Sequence, residues 1–143
     1  MTDADLVALR TQLQIEEGTR LMPYADRGGK ITIGTGRNLT DRGITIDESD
    51  LMLTNDILAA AQGLARRLPW FVALDSVRRI ALVDLAFNMG LTGLCGFHVM
   101  LDALKQGDWP GAAAALLESA WATQVQPSRR DRIVAMLRTG QSA

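Results

Sequence analysis

The hydrophobic period of this chain changes once, between residues 21 and 39, and this change limits the folds that it can adopt. Outside this segment apolar residues recur at spacings of three and four, which is the period of one helix face. Inside it, residues 30–34 alternate apolar with small or polar side chains and follow the turn-rich tract Arg27-Gly28-Gly29. The pattern predicts a small antiparallel hairpin, with a third short strand around residues 37–39, in an otherwise helical chain.

Capping residues and glycines mark the ends of the predicted helices. The spacing of a capping box occurs twice, at Thr2 with Asp5 and at Thr45 with Glu48. Gly18 is a natural stop for the first helix. Hydrophobic periodicity and helix-start prolines predict further helices over residues 51–68, 77–89, 97–105, 112–121 and 128–138.

Together these elements predict an α+β fold that is mainly helical. We expect a single domain over residues 1–143 with two unequal lobes. The smaller lobe, at about residues 18–50, holds the antiparallel hairpin sheet, and a long helix links it to a larger helical lobe at about residues 69–143. The N-terminal helix is assigned to the larger lobe, and residues 90–93 are expected to end its central helix.

Composition excludes several classes of protein. A chain of 143 residues suits one domain, and 15 Lys and Arg against 16 Asp and Glu give a net charge of −1. Nucleic-acid binders normally carry a basic excess, so a helical nucleic-acid binder is the weakest hypothesis. With one cysteine, Cys95, and one histidine, His98, the chain has no intramolecular disulfide and no Cys-rich or His-rich metal site. We expect Cys95 in buried packing, His98 at the surface, and no cofactor.

No targeting or membrane-spanning segment is recognisable. The first residues are acidic where a signal peptide would be basic. The longest apolar stretch, residues 80–101, contains Asp84, Asn88, His98 and three glycines, which a membrane span would rarely carry. We therefore expect no membrane insertion and no export by a signal peptide. If the substrate lies outside the cytoplasm, another protein must release this one.

Glu17, Asp26 and Thr32 are the candidate catalytic residues. Glu17 ends the first predicted helix, and Asp26 and Thr32 flank the hairpin turn, so a hairpin folded beside the helix end places all three around one cleft. Glycoside hydrolysis needs two carboxyl groups, one protonated and one ionised. The negative end of the helix dipole and partial burial both favour a protonated Glu17, whereas Asp26 in a solvated turn stays ionised. The Thr32 hydroxyl can hold a water molecule.

The same residues also fit a purely structural interpretation. An acid near a helix end is commonly solvated, and an aspartate in a glycine-rich turn commonly stabilises the turn. Spacing alone leaves both interpretations open.

The tract from Glu17 to Gly36 resembles the signature of the T-even-type phage lysozymes, or endolysins, of glycoside hydrolase family twenty-four. That signature is a Glu, eight residues, an Asp, five residues, a Thr and then Gly-x-Gly. Downstream, the segment from Arg78-Arg79 through Phe87-Asn88-Met89-Gly90 resembles the central helix of the family. Pro127-Ser128-Arg129 and Arg138-Thr139-Gly140 resemble its C-terminal helices, so the similarity covers nearly the whole chain.

The resemblance implies a muramidase, which cleaves the β-1,4 bond between N-acetylmuramic acid and N-acetylglucosamine in peptidoglycan with inversion. By this resemblance, Glu17 is the general acid, and Asp26 with Thr32 positions the attacking water. Further residues fall where family members bind substrate or pair with the catalytic glutamate, namely Asn38, Asn88 and Arg129.

One position departs from the family pattern. The family usually has a His after the Gly-x-Gly, and this chain has Arg37. That His is mainly structural, so we expect a changed contact between the lobes and unchanged catalysis.

The resemblance also implies a partner and a route. Peptidoglycan is the expected partner, and the protein is expected to be a monomer. It would stay in the host cytoplasm until a holin-like protein releases it to the cell wall in the periplasm. The alternative is a catalytically weak cell-wall-binding module on a lysozyme-like scaffold, against which the presence of Glu17, Asp26 and Thr32 argues. An endolysin, a phage-tail lysozyme and a bacterial protein remain open.

Overall fold

A reciprocal pair of hydrogen bonds between Thr2 and Asp5 begins the first helix. In the computed structural model, which describes residues 1–142, the Asp5 amide donates to Thr2 Oγ1 (3.2 Å) and the Thr2 amide donates to Asp5 Oδ2 (2.8 Å). Helix α1 spans Asp3–Glu17, and the amide of Gly18 closes its last turn on the Gln14 carbonyl (3.1 Å). The predicted capping box and the predicted stop are both confirmed.

A three-stranded antiparallel sheet follows, in the order β1-β2-β3. Its strands are β1 (Arg20–Ala25), β2 (Ile31–Gly34) and β3 (Arg37–Asn38). Thr32 lies at the centre of the register, opposite Tyr24 on one side and Asn38 on the other. The hairpin and the short third strand predicted from the change of period are confirmed.

Seven further α-helices follow the sheet within residues 1–142. They are α2 (Ile46–Arg67), α3 (Ser76–Met89), α4 (Leu91–Cys95), α5 (His98–Gln106), α6 (Trp109–Leu117), α7 (Ala120–Gln124) and α8 (Pro127–Thr139), with a 3₁₀ helix at Pro69–Ala73. The second capping box begins α2, since the amides and side chains of Thr45 and Glu48 exchange hydrogen bonds. The mainly helical α+β class is confirmed.

The predicted end of the central helix is confirmed, whereas one predicted helix is divided. α3 ends at Met89 and is followed by Gly90, at φ 78°; the short helix α4, which was not predicted, then begins at Leu91. The helix expected over residues 112–121 is two helices. Ser119 takes an extended backbone, and its Oγ donates to the Leu116 carbonyl (2.6 Å). A serine side chain that binds the local backbone competes with helix continuation.

The chain divides into two compact units, Met1–Leu51 and Met52–Ala143, and the division falls within α2. The first unit includes α1, which the sequence analysis assigned to the larger lobe; that lobe assignment stays a prediction. The second unit contains the buried hydrophobic core. Its largest fully buried side chains are Leu64, Leu82, Leu85, Leu94, Met100, Leu104, Leu116, Ile133 and Leu137. Burying each side chain of this size stabilises the fold by roughly 1.5–3 kcal/mol.

The expectations from composition have mixed outcomes. His98 is exposed, as expected, whereas Cys95 is half-buried and not enclosed in the core, because its short α4 helix lies at the surface except at Leu94. Across residues 1–142 no His, Cys, Asp and Glu side chains cluster to form a metal site. None of the helices in that range has the length and apolarity needed to span a membrane.

Arg78 on α3 joins three elements of the second unit. Its Nε donates to the Leu137 carbonyl (2.8 Å) and its Nη2 to the Arg138 carbonyl (3.2 Å), at the end of α8. Its Nη1 pairs with Asp75 (2.6 Å), and its guanidinium lies 4.0 Å from the centre of the Trp109 ring. The side chain is buried, so these partners replace the water that the cation would otherwise bind.

We expect Arg78→Met to lower the free energy of unfolding by about 2–3 kcal/mol, because two carbonyls at the end of α8 lose their donors. The matched control is Arg79→Met, since Arg79 is the exposed neighbour on the same helix. Its effect should stay within about 0.5 kcal/mol. Urea denaturation measures both. Equal losses for the two variants would contradict this account of Arg78.

Candidate active site

Glu17 occupies the last position of α1, directly before the glycine that ends the helix. Its carboxylate lies near the end of β2 and the connection to β3, Gly34-Thr35-Gly36, which we call the glycine turn. A Cβ atom on Gly36 would stand 3.8 Å from Glu17 Oε2, and the φ of Gly36 is +72°, which suits glycine. The expected partial burial of Glu17 is wrong: the residue is exposed, as are its neighbours on α1, a helix without a buried residue.

Asp26 follows β1 and shapes the β1–β2 connection. Its Oδ1 accepts hydrogen bonds from the amides of Gly28 (2.8 Å) and Lys30 (2.9 Å). The main chain closes the same turn, because the Asp26 amide donates to the Lys30 carbonyl (2.9 Å) and the Gly29 amide donates to the Asp26 carbonyl (3.0 Å). One carboxylate oxygen is therefore held by the turn, which leaves Oδ2 for other partners.

Thr32 is central in β2 and is 4% exposed, the lowest exposure of any polar side chain in residues 1–142. Its Oγ1 donates to the Lys30 carbonyl (3.3 Å). A hydroxyl that donates one hydrogen bond can still accept others through its lone pairs. The single proton of the hydroxyl is therefore used in the hydrogen bond to Lys30, and its oxygen can still accept a hydrogen bond from another group.

The structure brings the three candidate residues into one unit. Lys30 joins Asp26 and Thr32, since its amide binds the carboxylate of the first and its carbonyl binds the hydroxyl of the second. Glu17 lies at the glycine turn, which continues directly from β2. Spacing in the sequence thus identified residues that the hairpin does place on neighbouring elements.

Asn38 on β3 is engaged in the turn that follows it. Its Oδ1 accepts from the Asp41 amide (3.0 Å) and its Nδ2 donates to Asp41 Oδ2 (2.9 Å). Asp41 Oδ1 in turn pairs with Lys30 Nζ (2.9 Å). The amide of Asn38 is therefore held in place on the strand next to Thr32.

Asn88 and Arg129 belong to the second unit. Asn88 is exposed, and its Oδ1 accepts from Trp121 Nε1 (2.8 Å). Both residues line a cavity of about 600 Å³ with the indole of Trp121 and the amide side chains of Gln124 and Gln126. The lining offers amide and indole groups, together with one cation, to a polar ligand.

Asp84 is a charged partner that the sequence analysis missed. Arg129 Nε donates to Asp84 Oδ1 (2.9 Å) and Arg129 Nη2 contacts the same carboxylate, while Arg132 Nη2 reaches Oδ2 (3.4 Å). Asp84 had served only as an argument against a membrane span. The available signal was a charged residue within an apolar helix, in the middle of the family-like segment from Arg78 to Gly90.

Arg37, which replaces the usual histidine, pairs within the first unit. Its Nη1 donates to Glu48 Oε2 (2.9 Å) and to the Gly43 carbonyl (3.2 Å), and its Nη2 binds Glu48 Oε1. Hydrogen bonds from Arg37 and then from the Thr45 amide lower the pKa of Glu48 to about 2. The pair therefore remains ionised at neutral pH.

Comparisons with known proteins agree with this geometry. Residues 14–133 match the model of the phage lysozyme family. Probable T4-type lysozymes 1 and 2 of Dictyostelium discoideum are 24% and 26% identical to this chain, over 93% of it and 95% of each relative. The endolysin of Acyrthosiphon pisum secondary endosymbiont phage 1 is 31% identical, over 71% of this chain and 70% of its own.

A mainly helical protein with a small hairpin sheet, with Glu17 before and Asp26 after its first strand, has the architecture expected of a lysozyme-type glycoside hydrolase. With the match over residues 14–133, this chain belongs to the phage lysozyme family. It is a lysozyme-type hydrolase whose substrate is peptidoglycan. The family also occurs within larger proteins: the pre-baseplate central spike protein Gp5 of Enterobacteria phage T4 is 27% identical over 94% of this chain but only 28% of its own length.

Asp26 stabilises the β1–β2 turn, and two substitutions can separate this structural role from a role in catalysis. Asp26→Asn keeps an Oδ1 acceptor for the two amides, so we expect the free energy of unfolding to change by less than about 1 kcal/mol. Asp26→Ala leaves both amides without this acceptor and should cost about 1–3 kcal/mol. Thermal or urea unfolding of the two variants measures the difference. Equal stabilities would contradict the turn-holding role of Oδ1.

Proposed function

We propose that this protein is an N-acetylmuramidase that cleaves the β-1,4 bond between N-acetylmuramic acid and N-acetylglucosamine, with Glu17, Asp26 and Thr32 as its catalytic residues. The observation that carries the proposal is the linkage of Asp26 and Thr32 through the main chain of Lys30, in the same unit as Glu17. The order and spacing of the family signature support the same assignment.

Glu17 is the general acid in this proposal. It donates a proton to the glycosidic oxygen, so that the leaving sugar departs as an alcohol. It occupies the carboxyl end of α1, next to the hairpin that carries Asp26 and Thr32. Its Oε2 lies 3.8 Å from the position that a Cβ on Gly36 would take, so the carboxylate is near the glycine turn.

Asp26 and Thr32 prepare the attacking water. The free oxygen of Asp26 accepts a proton from the water, and the Thr32 hydroxyl accepts a hydrogen bond from the same water and orients it. The water then attacks the anomeric carbon from the face opposite the leaving group, which inverts the configuration. The ionised Asp26 also stabilises the positive charge of the oxocarbenium-like transition state.

The three further residues have supporting roles. Asn38, on the strand beside Thr32, and Asn88, in the cavity with Trp121, offer amides to the hydroxyl and acetamido groups of the glycan. Arg129 contributes positive charge to the same cavity. Its recorded partner is Asp84, which takes the place of the catalytic glutamate that the family resemblance implies.

The biological role proposed is that of a phage or prophage endolysin that acts as a monomer. It accumulates in the host cytoplasm and reaches peptidoglycan in the periplasm once a holin-like protein has permeabilised the inner membrane. The resemblance to endolysins supports this route.

The first test removes the proton of the general acid. Glu17→Gln should lower the rate of lysis by about 10²–10⁴-fold, because general acid catalysis contributes that much. Its free energy of unfolding should hold or rise, since a negative charge is removed from a helix C-terminal end. The turbidity of outer-membrane-permeabilised cells measures lysis.

The matched control is the neighbouring Glu16→Gln, which removes a carboxylate whose partner is Gln12 on the same helix. This variant should lyse cells like the wild type. Wild-type lysis by Glu17→Gln would refute the assignment of Glu17 as the general acid.

The second test is stereochemical. An inverting glycosidase leaves about 6.5–9.5 Å between its carboxyl groups for a water, whereas a retaining one needs about 5–5.5 Å. Proton NMR of freshly cleaved glycan should therefore show the α anomer first. Thr32→Ala should reduce the rate and keep the α product. An initial β product, or a covalent sugar on Asp26, would refute the water-activating role of Asp26.

The third test concerns release. Expression of this protein alone in a bacterial cytoplasm should leave growth and turbidity unchanged, and addition of a membrane-permeabilising agent should then cause prompt lysis. The matched control is Glu17→Gln expressed in the same way, which should remain inactive after permeabilisation. Prompt lysis by the wild type without the agent would count against dependence on a holin-like protein.

A further inference from the structure

Gly36 of the glycine turn lies near the Glu17 carboxyl. An atom placed at the Cβ position of Gly36 would be in van der Waals contact with Oε2, Cδ and Cγ of Glu17, at 3.8–3.9 Å. Glu17 itself is exposed. Movement of the turn would therefore change where the carboxyl can lie.

Two attachments restrain this turn. Thr35, at its centre, contacts Thr19 through their hydroxyls (3.0 Å), and Thr19 lies two residues after Glu17. Arg37, directly after Gly36, binds both carboxylate oxygens of Glu48 and the Gly43 carbonyl. The first attachment ties the turn to the chain leaving α1, and the second ties it to the start of α2.

The attachment through Arg37 is the more rigid of the two. A guanidinium that binds a carboxylate with two parallel hydrogen bonds fixes orientation as well as distance. The Glu48 carboxylate is itself held by the main chain, because it accepts from the Thr45 amide (2.8 Å). The low pKa of Glu48, about 2, keeps the pair ionised at every pH at which the enzyme would be assayed.

We propose that Arg37 is a positioning residue for the general acid: through Glu48 and the Gly43 carbonyl it fixes the glycine turn, and the turn fixes the carboxyl of Glu17. The proposal rests on the proposed role of Glu17. It goes further in assigning a kinetic role to a residue that lies outside the family pattern. A proton donor must lie within hydrogen-bond reach of the glycosidic oxygen, and an error of about 1 Å can cost about 10²-fold in rate.

The test separates kcat from KM on soluble peptidoglycan fragments. Arg37→Met and Glu48→Gln should each lower kcat by about 10–100-fold and leave KM within about twofold of the wild type, because a positioning defect weakens the transition state and spares ground-state binding. The double variant should be no slower than the slower single variant, since both changes break one attachment. Losses that multiply, or a wild-type kcat in either single variant, would overturn the proposal.

Thr45→Ala is the matched control for stability. It removes the hydroxyl that caps the same helix end and leaves Arg37 paired with Glu48. We expect it to lower the free energy of unfolding while kcat stays near that of the wild type. A kcat as low as that of Arg37→Met would show that any weakening of this helix end slows the enzyme, and that Arg37 has only a structural role.

A readout without turnover distinguishes failure of this proposal from failure of the proposed function. The carbon NMR resonance of the Glu17 carboxyl, measured at pH 7, should shift in Arg37→Met and in Glu48→Gln and stay in place in Thr45→Ala. An unshifted resonance in the first two variants overturns the positioning role, even if Glu17→Gln is inactive. Full activity of Glu17→Gln would overturn the role of Glu17 as the acid, and the positioning role with it.

Discussion

The main chain of Lys30 is the constraint on which the candidate site depends. Its carbonyl accepts hydrogen bonds from the amide of Asp26 and the hydroxyl of Thr32. Its amide donates a hydrogen bond to the carboxylate of Asp26. The atoms that close the β1–β2 connection are therefore the atoms that orient both side chains. A slip of one residue in this register would turn Thr32 to the other face of the sheet and break all three hydrogen bonds. The backbone conformation matters here more than the side chain at position 30.

Features that depend on residues close together in the sequence were predictable. Both capping boxes join residues three apart, and the hairpin follows from alternation over five residues beside a glycine-rich turn. The grouping of Asp26 with Thr32 follows from the same local geometry. Glu17 could be identified from the sequence because the family signature places it before the hairpin. Its exposed position in the structure contradicts the expected partial burial.

Features that join distant residues were not predictable, because spacing carries no information about them. Arg37 meets Glu48 across 11 positions, Arg129 meets Asp84 across 45, and Arg78 meets the carbonyl of Leu137 across 59. Each contact depends on how elements pack, and each of the charged side chains looks like an ordinary surface charge in the sequence. The break between α6 and α7 was missed for a different reason. An alanine-rich run favours helix, and one serine hydroxyl bonding back to the main chain is enough to end it.

Burial is distributed very unevenly along the chain, and this has a dynamic consequence. In residues 1–51 the only buried side chain is Thr32, whereas the buried apolar core of the described chain lies within residues 52–142. Segments with few buried apolar contacts open locally at a lower free energy than the global transition. Amide hydrogens of the hairpin should therefore exchange with solvent well before those of α3 and α8. Under mild heating the enzyme would lose its catalytic geometry while most of its helical signal persists, so inactivation and unfolding would be separate events.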